Sequence, residues 1–158
     1  MTNKEFFLKL IKEEAPKFRV AIDALPEDKH THKVHDKSRE AGNIAAQLAL
    51  QWKAISGILK NGAPDFNPHE MGPQSKADML AKFDAGMAEL QKDVAAVSEE
   101  DWDNGDASMG EMWKDKKYNM AWGFLFDAIH HRGQLATYLR AMGAKVPSIY
   151  GPTADTES

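Results

Sequence analysis

Hydrophobic side chains recur every three or four residues along four long stretches of the chain, and polar segments with proline and glycine separate these stretches. Such spacing places the hydrophobic side chains on one face of an α-helix. The pattern predicts four helices, approximately over residues 3–24, 38–60, 75–97 and 119–142. No run of alternating hydrophobic and polar residues indicates a β-strand.

Capping signals mark the starts of three of these helices. Thr2 and Glu5 have the spacing of a capping box, in which a hydroxyl and a carboxylate satisfy free backbone amides of the first turn. Ser38 and Ser75 stand where the second and third helices would have their N-cap residues. Pro16 lies inside the first helix, where it removes a backbone hydrogen bond, so we expect a kink or a break there.

Glycines predict where two of the helices end. Gly62 after the second helix and Gly143 after the fourth suit the left-handed conformation that often follows a helix. Residues 26–37 and 62–74 are polar or rich in proline and predict long loops. Because these loops exceed the short connections of an up-and-down bundle, a crossover arrangement of the helices stays open.

The segment between the third and fourth helices is acidic and contains glycine. It predicts a short helical turn near Ser98 to Trp102 and an irregular stretch after it, which Trp102 and Trp113 anchor to the core. The C-terminal residues 144–158 predict an extended tail that frays beyond Thr153.

Together these elements predict one all-α domain over residues 1–158. Its architecture is a four-helix bundle with long loops, a short extra helical turn and an extended C-terminal tail.

Composition excludes several classes of protein. The chain is 42% hydrophobic and 28% charged, as ordinary globular proteins are, and its net charge of −4 with scattered lysine and arginine offers no basic surface to nucleic acid. The absence of cysteine excludes disulfides, thiolate-bound zinc and a cysteine nucleophile. The longest apolar stretch, residues 121–129, is too short to cross a bilayer. The first residues contain no apolar run followed by a cleavage site, so we do not expect a secretory signal. We therefore expect a cytoplasmic protein with neither a nucleic-acid nor a membrane partner.

Polar side chains that could carry chemistry share one face of the fourth helix. Asp127, His131, Gln134 and Tyr138 follow one another at helical spacing, with His130 at the margin. A carboxylate and an imidazole four residues apart can supply two of the three or four ligands of a metal ion. The same pair can equally form an ordinary hydrogen bond on a solvated face, and spacing alone leaves both interpretations open.

Two other features have simpler interpretations. The histidines of the predicted loops, His30, His32, His35 and His69, are interpreted as solvated side chains. Gly133 lies in the middle of the fourth helix, where glycine costs about 1 kcal/mol relative to alanine. We expect another helix or another chain to approach closely there.

The segment IHHRGQLATYLRAMGAKVP, residues 129–147, resembles the C-terminal signature of the DinB-like (damage-inducible, YfiT-like) family. The segment LPEDK before the second helix is also similar to that family. The resemblance implies a four-helix bundle, a homodimer and a metal-dependent enzyme, with relatives that include transferases acting with low-molecular-weight thiols.

The resemblance also implies where a metal ion would bind. Metal-binding members carry one histidine on the second helix and two, four residues apart, on the fourth. In this chain those positions fall on Gln47, Asp127 and His131. A glutamine oxygen is a poor ligand for zinc, nickel or copper, so the cofactor is expected to be either a divalent metal ion of unknown identity or none.

Two hypotheses for function follow. In the first, the chain is a metal-assisted hydrolase or thiol-linked transferase with a site between the second and fourth helices. His131 and Asp127 are its catalytic residues, and His130, Gln134 and Tyr138 line the pocket for an unidentified small molecule. Without metal, His131 oriented by Asp127 would act as a general base. In the second, the chain is a non-catalytic, dimeric, stress-associated or small-ligand-binding protein with a degenerate metal site.

Overall fold

Four long helices and one short helix form most of the chain in the computed structural model, which describes residues 1–156. The helices are α1 Asn3–Asp23, α2 Ala41–Asn61, α3 Lys76–Ala96, α4 Glu99–Asn104 and α5 Lys117–Ala141. Two short strands, β1 Asp106–Ser108 and β2 Lys114–Lys116, pair in an antiparallel hairpin, and 3-10 turns occupy Glu27–Lys29 and Pro68–Met71. The predicted all-α bundle is confirmed, and α5 is the predicted fourth helix.

The first helix begins at the predicted capping box and runs without interruption. The Thr2 hydroxyl accepts a hydrogen bond from the Glu5 amide, and the Glu5 carboxylate accepts one from the Thr2 amide. Of the kink or break expected at Pro16, the break is wrong, because the helix continues through that residue. Phe18 and Ile22, which follow the proline, are fully buried in the core, so packing outweighs the loss of one backbone hydrogen bond.

The start of α2 differs from the prediction. Ser38 lies in a turn outside the helix, and Glu40 is the N-cap residue without a capping side chain. Two carbonyls of the preceding loop do the capping instead, since the Ala41 and Gly42 amides donate to the carbonyls of His32 and His30 at 2.9 and 2.8 Å. The end of α2 at Gly62, with φ of 68°, is as predicted.

Among the described residues, β-strands occur only in the region after α3. Ser75 caps α3 as predicted, and Ser98 caps α4, whose first turn matches the predicted turn of helix. The stretch that follows is a hairpin in which Ala107 pairs with Asp115. The expectation of no strand was wrong, because strands of three mostly polar residues are too short to show an alternating pattern.

The centre of the bundle is α2, which packs against both α3 and α5. The Trp52 ring lies between Phe18 and Phe83, with ring centroids 4.7 and 5.8 Å apart. The hydrophobic arc of α2 is buried along its length and consists of Ala41, Ile44, Ala45, Leu48, Trp52, Ile55 and Leu59. Within the described residues, every helix is too short or too polar to cross a membrane.

The C-terminal tail returns to the bundle after α5. Gly143 has φ of 75° and ends the helix as predicted. Asp155 accepts a hydrogen bond from the Val146 amide at 2.9 Å and pairs with Arg140 at 2.6 Å. Residues 157 and 158, which belong to the predicted frayed end, lie outside the described residues.

Candidate functional site

The three residues assigned as candidate metal ligands meet between α2 and α5. Asp127 and His131 are one turn apart on α5, and His131 Nε2 lies 3.2 Å from Asp127 Oδ1. Gln47 on α2 donates from Nε2 to Asp127 Oδ2 at 2.9 Å. The structure therefore brings together the residues that the sequence singled out.

Two further residues complete the cluster, and sequence reasoning missed both. Gln51, one turn after Gln47 on α2, donates from Nε2 to Asp127 Oδ2 at 3.2 Å and to the Phe124 carbonyl at 2.8 Å. Arg39 donates to Gln47 Oε1 at 2.6 Å. The four-residue spacing of the two glutamines signals Gln51, whereas Arg39 precedes the helix and only the fold places it here.

The amide of Gln47 has a fixed orientation because it joins two opposite charges. Its oxygen accepts from the Arg39 guanidinium, and its nitrogen donates to the Asp127 carboxylate. The reverse orientation would point amide hydrogens at a guanidinium and an oxygen at a carboxylate, leaving both contacts repulsive.

His131 uses both ring nitrogens within the protein. Nε2 faces the Asp127 carboxylate, and Nδ1 lies 2.8 Å from Gln134 Oε1. With the Gln134 oxygen facing Nδ1, both partners of the ring are acceptors, an arrangement that favours the protonated imidazole. Gln134 in turn contacts His130 Nε2 through its own nitrogen at 3.0 Å.

The Asp127–His131 contact shifts the pKa of each partner. The hydrogen bond from His131 lowers the pKa of Asp127, against the opposing effect of partial burial. The hydrogen bond to Asp127 raises the pKa of His131, again against burial, and Gln134 adds to the rise. Each shift favours the charged form of its group, the carboxylate of Asp127 and the imidazolium of His131.

The remaining predicted pocket residues have supporting positions. Tyr138 is buried, and its hydroxyl donates to the Arg39 carbonyl at 2.9 Å, which holds Arg39 near Gln47. His130 is exposed. In the loop before α2, His35 is exposed as expected, but His30 and His32 are half-buried, which corrects the expectation of solvated side chains there; the ring of His32 meets Tyr138.

A cavity of about 320 Å³ opens beside this cluster. Its polar side consists of Gln47, Gln51 and Asp127. Its apolar walls come from the loop after α2, the hairpin and α5, and they are Pro64, Phe66, Met109, Trp113 and Phe124. Asp127 lines the cavity, whereas His131, Gln134 and Tyr138 are not part of its lining.

Gly123 explains how the hairpin supplies a wall of this cavity. A Cβ atom at residue 123 would overlap the indole of Trp113, so only glycine lets that ring lie against α5. The indole stacks on Phe124 with an interplanar angle of 8° and a centroid distance of 6.3 Å. Trp113 thus anchors the hairpin, as predicted, and is also a wall of the cavity.

The donor atoms of this cluster do not fit a divalent metal ion. The Gln47 oxygen faces a guanidinium, both Asp127 oxygens accept hydrogen bonds, and His131 Nε2 is bonded to the carboxylate. The nearby charge of Arg39 also opposes a dication. In the described part of the chain, no three histidine, aspartate or glutamate side chains are grouped so that they could hold a metal ion.

Solved structures of DinB-like proteins share this fold. A DinB-like protein (YjoA) from Bacillus subtilis is 15% identical, with 93% of this chain and 99% of that chain covered and a TM-score of 0.71. A DinB-like protein from Bacillus cereus ATCC 10987 is also 15% identical, with 92% and 97% covered and a TM-score of 0.76. A comparison with curated proteins finds no match. The sequence model of the DinB family matches residues 1–157, and the chain therefore belongs to the DinB family.

Proposed function

We propose that the chain binds a small organic molecule in the cavity between α2 and α5, and that it does so without a metal ion. The observation that carries the proposal is the position of Asp127, an ionised carboxylate in the wall of a cavity whose other walls are mostly apolar. Cavities of about 300–1,000 Å³ with few polar groups among apolar ones are typical of small-molecule sites.

Asp127 has capacity left for a ligand. A carboxylate offers about four acceptor directions. In this site the protein supplies donors from Gln47, Gln51 and His131. The Asp127 side chain is 45% exposed, so its remaining acceptor direction is accessible to a donor on the ligand.

His131 acts in this proposal as a positioning residue. Both of its nitrogens are bonded within the protein, and it does not line the cavity. Its role is to orient the Asp127 carboxylate and to keep it ionised. The general-base role expected from the sequence would require a nitrogen free to face the ligand.

The absence of metal from this proposal rests on the donor set. A metal-assisted hydrolase or a thiol-linked transferase needs an ion that activates water or holds a thiolate. Here the candidate ligands satisfy one another and Arg39. Their arrangement supports a hydrogen-bonding pocket better than a metal centre.

Calorimetric titration of a fragment library tests the binding site. Fragments that bind the wild-type chain should lose roughly tenfold in affinity in Asp127→Asn, since a hydrogen bond to a charged group contributes about 1.5–3 kcal/mol. Asp103→Asn, the same change on an exposed side chain of α4, is the matched control. The proposal fails if no fragment binds or if both variants behave alike.

A separate titration tests the absence of metal. Manganese, iron, nickel and zinc should each bind the untagged chain at less than one equivalent and leave its melting temperature unchanged. One equivalent of tightly bound metal that stabilises the wild type, but not His131→Ala, would overturn this part of the proposal.

A further inference from the structure

The negative charge of Asp127 is balanced within the protein before any ligand binds. The His131 imidazole lies 3.2 Å from Asp127 Oδ1, and the raised pKa of His131 favours the protonated ring. The Gln47 amide joins the Arg39 guanidinium to Oδ2 of the same carboxylate. The cavity therefore contains a carboxylate that does not lack a positive partner.

A charged ligand would be unfavourable in this cavity. A cation would approach the positive charges of Arg39 and His131 without gaining a free counter-charge. An anion would face Asp127, which lines the cavity. Either ion would also leave water for walls that are mostly apolar. The charges around the cavity thus favour an uncharged ligand.

The Asp127 carboxylate has room for one hydrogen-bond donor of the ligand. Its Oδ2 already accepts from Gln47 and Gln51, at 2.9 and 3.2 Å. Within the described chain, Oδ1 has a polar contact only with His131. Because each carboxylate oxygen offers about two acceptor directions, one direction remains, and it belongs to Oδ1.

Aromatic rings from three parts of the chain contribute to the apolar walls. They are Phe66 in the loop after α2, Trp113 between the two strands and Phe124 on α5. The polar atom of the indole, Nε1, faces Asp115 at 3.4 Å. Aromatic rings stack on one another with a gain beyond the area that they bury. A flat aromatic body therefore suits these walls better than a saturated one of the same size.

We propose that the ligand is an uncharged aromatic molecule that offers one hydrogen-bond donor, such as a hydroxyl group, to Asp127 Oδ1. Its ring packs among Phe66, Trp113 and Phe124. This inference rests on the small-molecule site proposed above and specifies the chemistry of its ligand.

Four probes with one aromatic body test the charge and the donor by calorimetry on the full chain at pH 7. They are 2-phenylethanol, its methyl ether, 2-phenylethylamine and phenylacetate, of which the last two are charged at this pH. The alcohol should bind roughly tenfold more tightly than each of the others. An amine or an acid that binds as tightly would overturn the uncharged assignment, and an ether that does so would overturn the donor.

A fifth probe, 2-cyclohexylethanol, tests the aromatic body. It should bind roughly fivefold more weakly than 2-phenylethanol, and Trp113→Leu should reduce this difference. Tyr118→Leu, the loss of an aromatic side chain outside the cavity lining, should keep it. Equal affinity of the two alcohols for the wild type would overturn the aromatic assignment, whether or not the Trp113 variant folds.

Failure of the probes can be distinguished from failure of the proposed function. If none of the five probes binds while other fragments do, the ligand class is wrong and the cavity is still a binding site. If the fragments fail as well, the proposed function itself is wrong.

Two variants locate the effects at the charge cluster. His131→Gln removes a positive charge beside Asp127, so the ratio of alcohol to amine affinity should fall roughly threefold, whereas the exposed His69→Gln should keep it. Asp127→Asn should reduce the ratio of alcohol to ether affinity, whereas Asp103→Asn should not. An unchanged alcohol-to-amine ratio in His131→Gln would overturn the charge balance. An unchanged alcohol-to-ether ratio in Asp127→Asn would overturn Asp127 as the acceptor.

Discussion

Gln47 shows how one residue changes the chemistry of a site. The family resemblance places a histidine at this position, and a histidine there would present a ring nitrogen to a metal ion. The amide instead joins the guanidinium of Arg39 to the carboxylate of Asp127. Its two ends have opposite polarity, so the polar groups of the cluster satisfy one another without a metal ion.

The Asp127–His131 pair predicts a pH dependence of stability. Because the pKa of His131 is raised, its contribution to the free energy of unfolding is complete below the pKa of an unfolded histidine, about 6.5. This contribution is lost as the pH rises through the pKa of His131 in the folded protein. Because the pKa of Asp127 is lowered, its contribution to the free energy of unfolding is complete above the pKa of an unfolded aspartate, about 3.9. This contribution is lost as the pH falls through the pKa of Asp127 in the folded protein. The pair therefore stabilises the fold most between about pH 4 and 6.5.

Replacing the histidine tests this dependence. His131→Gln should lower the free energy of unfolding by about 1 kcal/mol more at pH 5.5 than at pH 9, since a partly exposed ion pair contributes up to about that amount. Urea denaturation at the two pH values measures the difference, with the exposed His69→Gln as the control. A loss that is the same at both pH values would contradict the charged state assigned to His131.

Residue spacing predicts part of the site and cannot predict the rest. Asp127 and His131 are found from the sequence because four-residue spacing brings side chains together within one helix. Gln47 is found only through the family resemblance, since it lies on another helix. Arg39 reaches the site through the packing of a loop residue against Tyr138, and no local pattern records such a contact.

The same limit on prediction from the sequence applies to helices and strands. The long helices are predictable because periodic hydrophobic positions reflect burial along one element. The start of α2 and the hairpin are not, because carbonyls of His30 and His32 cap the former and the Trp113–Gly123 contact holds the latter against α5. Both depend on residues distant from the local pattern.

Two glycines of α5 give a matched test of that contact. Gly123→Ala should push Trp113 from its place, with an expected loss of about 1–3 kcal/mol of stability from overpacking and weaker fragment binding. Gly133→Ala should stabilise the chain by about 0.5–1 kcal/mol, because, apart from adjacent residues and the backbone of the neighbouring turns of α5, no atom of the described chain lies within 4 Å of the added methyl group.

Thermal and urea denaturation measure the stability of both glycine variants. The absence of a neighbour at Gly133 also shows that the expected close approach of another helix of the chain was wrong there. Equal destabilisation by the two alanines would mean that another chain covers Gly133. Unimpaired fragment binding by Gly123→Ala would mean that Trp113 does not shape the cavity.

On the scale of the whole molecule, a buried charge cluster joins both ends of the chain. Burial alone would raise the pKa of Glu14 on α1, but hydrogen bonds from Lys17, Arg132 and Tyr150 together hold it below its usual value. Arg132 comes from α5, 2.6 Å from Glu14, and Tyr150 comes from the tail, 2.7 Å from the same carboxylate. The tail is thus hydrogen-bonded to the first and last helices through Glu14 and Arg132. Burying either of these charges without its partner would cost free energy.

The surface between α1 and α5 is a candidate interface for the homodimer that the family resemblance predicts. Phe6 is 46% exposed and Phe126 is 60% exposed, and both contact the ring of Trp122, at centroid distances of 5.8 and 5.7 Å. Contiguous exposed apolar surface is a common feature of protein association surfaces. We expect a second copy of the chain to cover this aromatic cluster.

In sedimentation velocity, the wild type should then behave as a dimer and Phe126→Asp as a folded monomer. Gly133→Ala, two turns further along α5, should leave the dimer intact. A monomeric wild type would contradict the predicted dimer, and a dimeric Phe126→Asp would place the interface elsewhere.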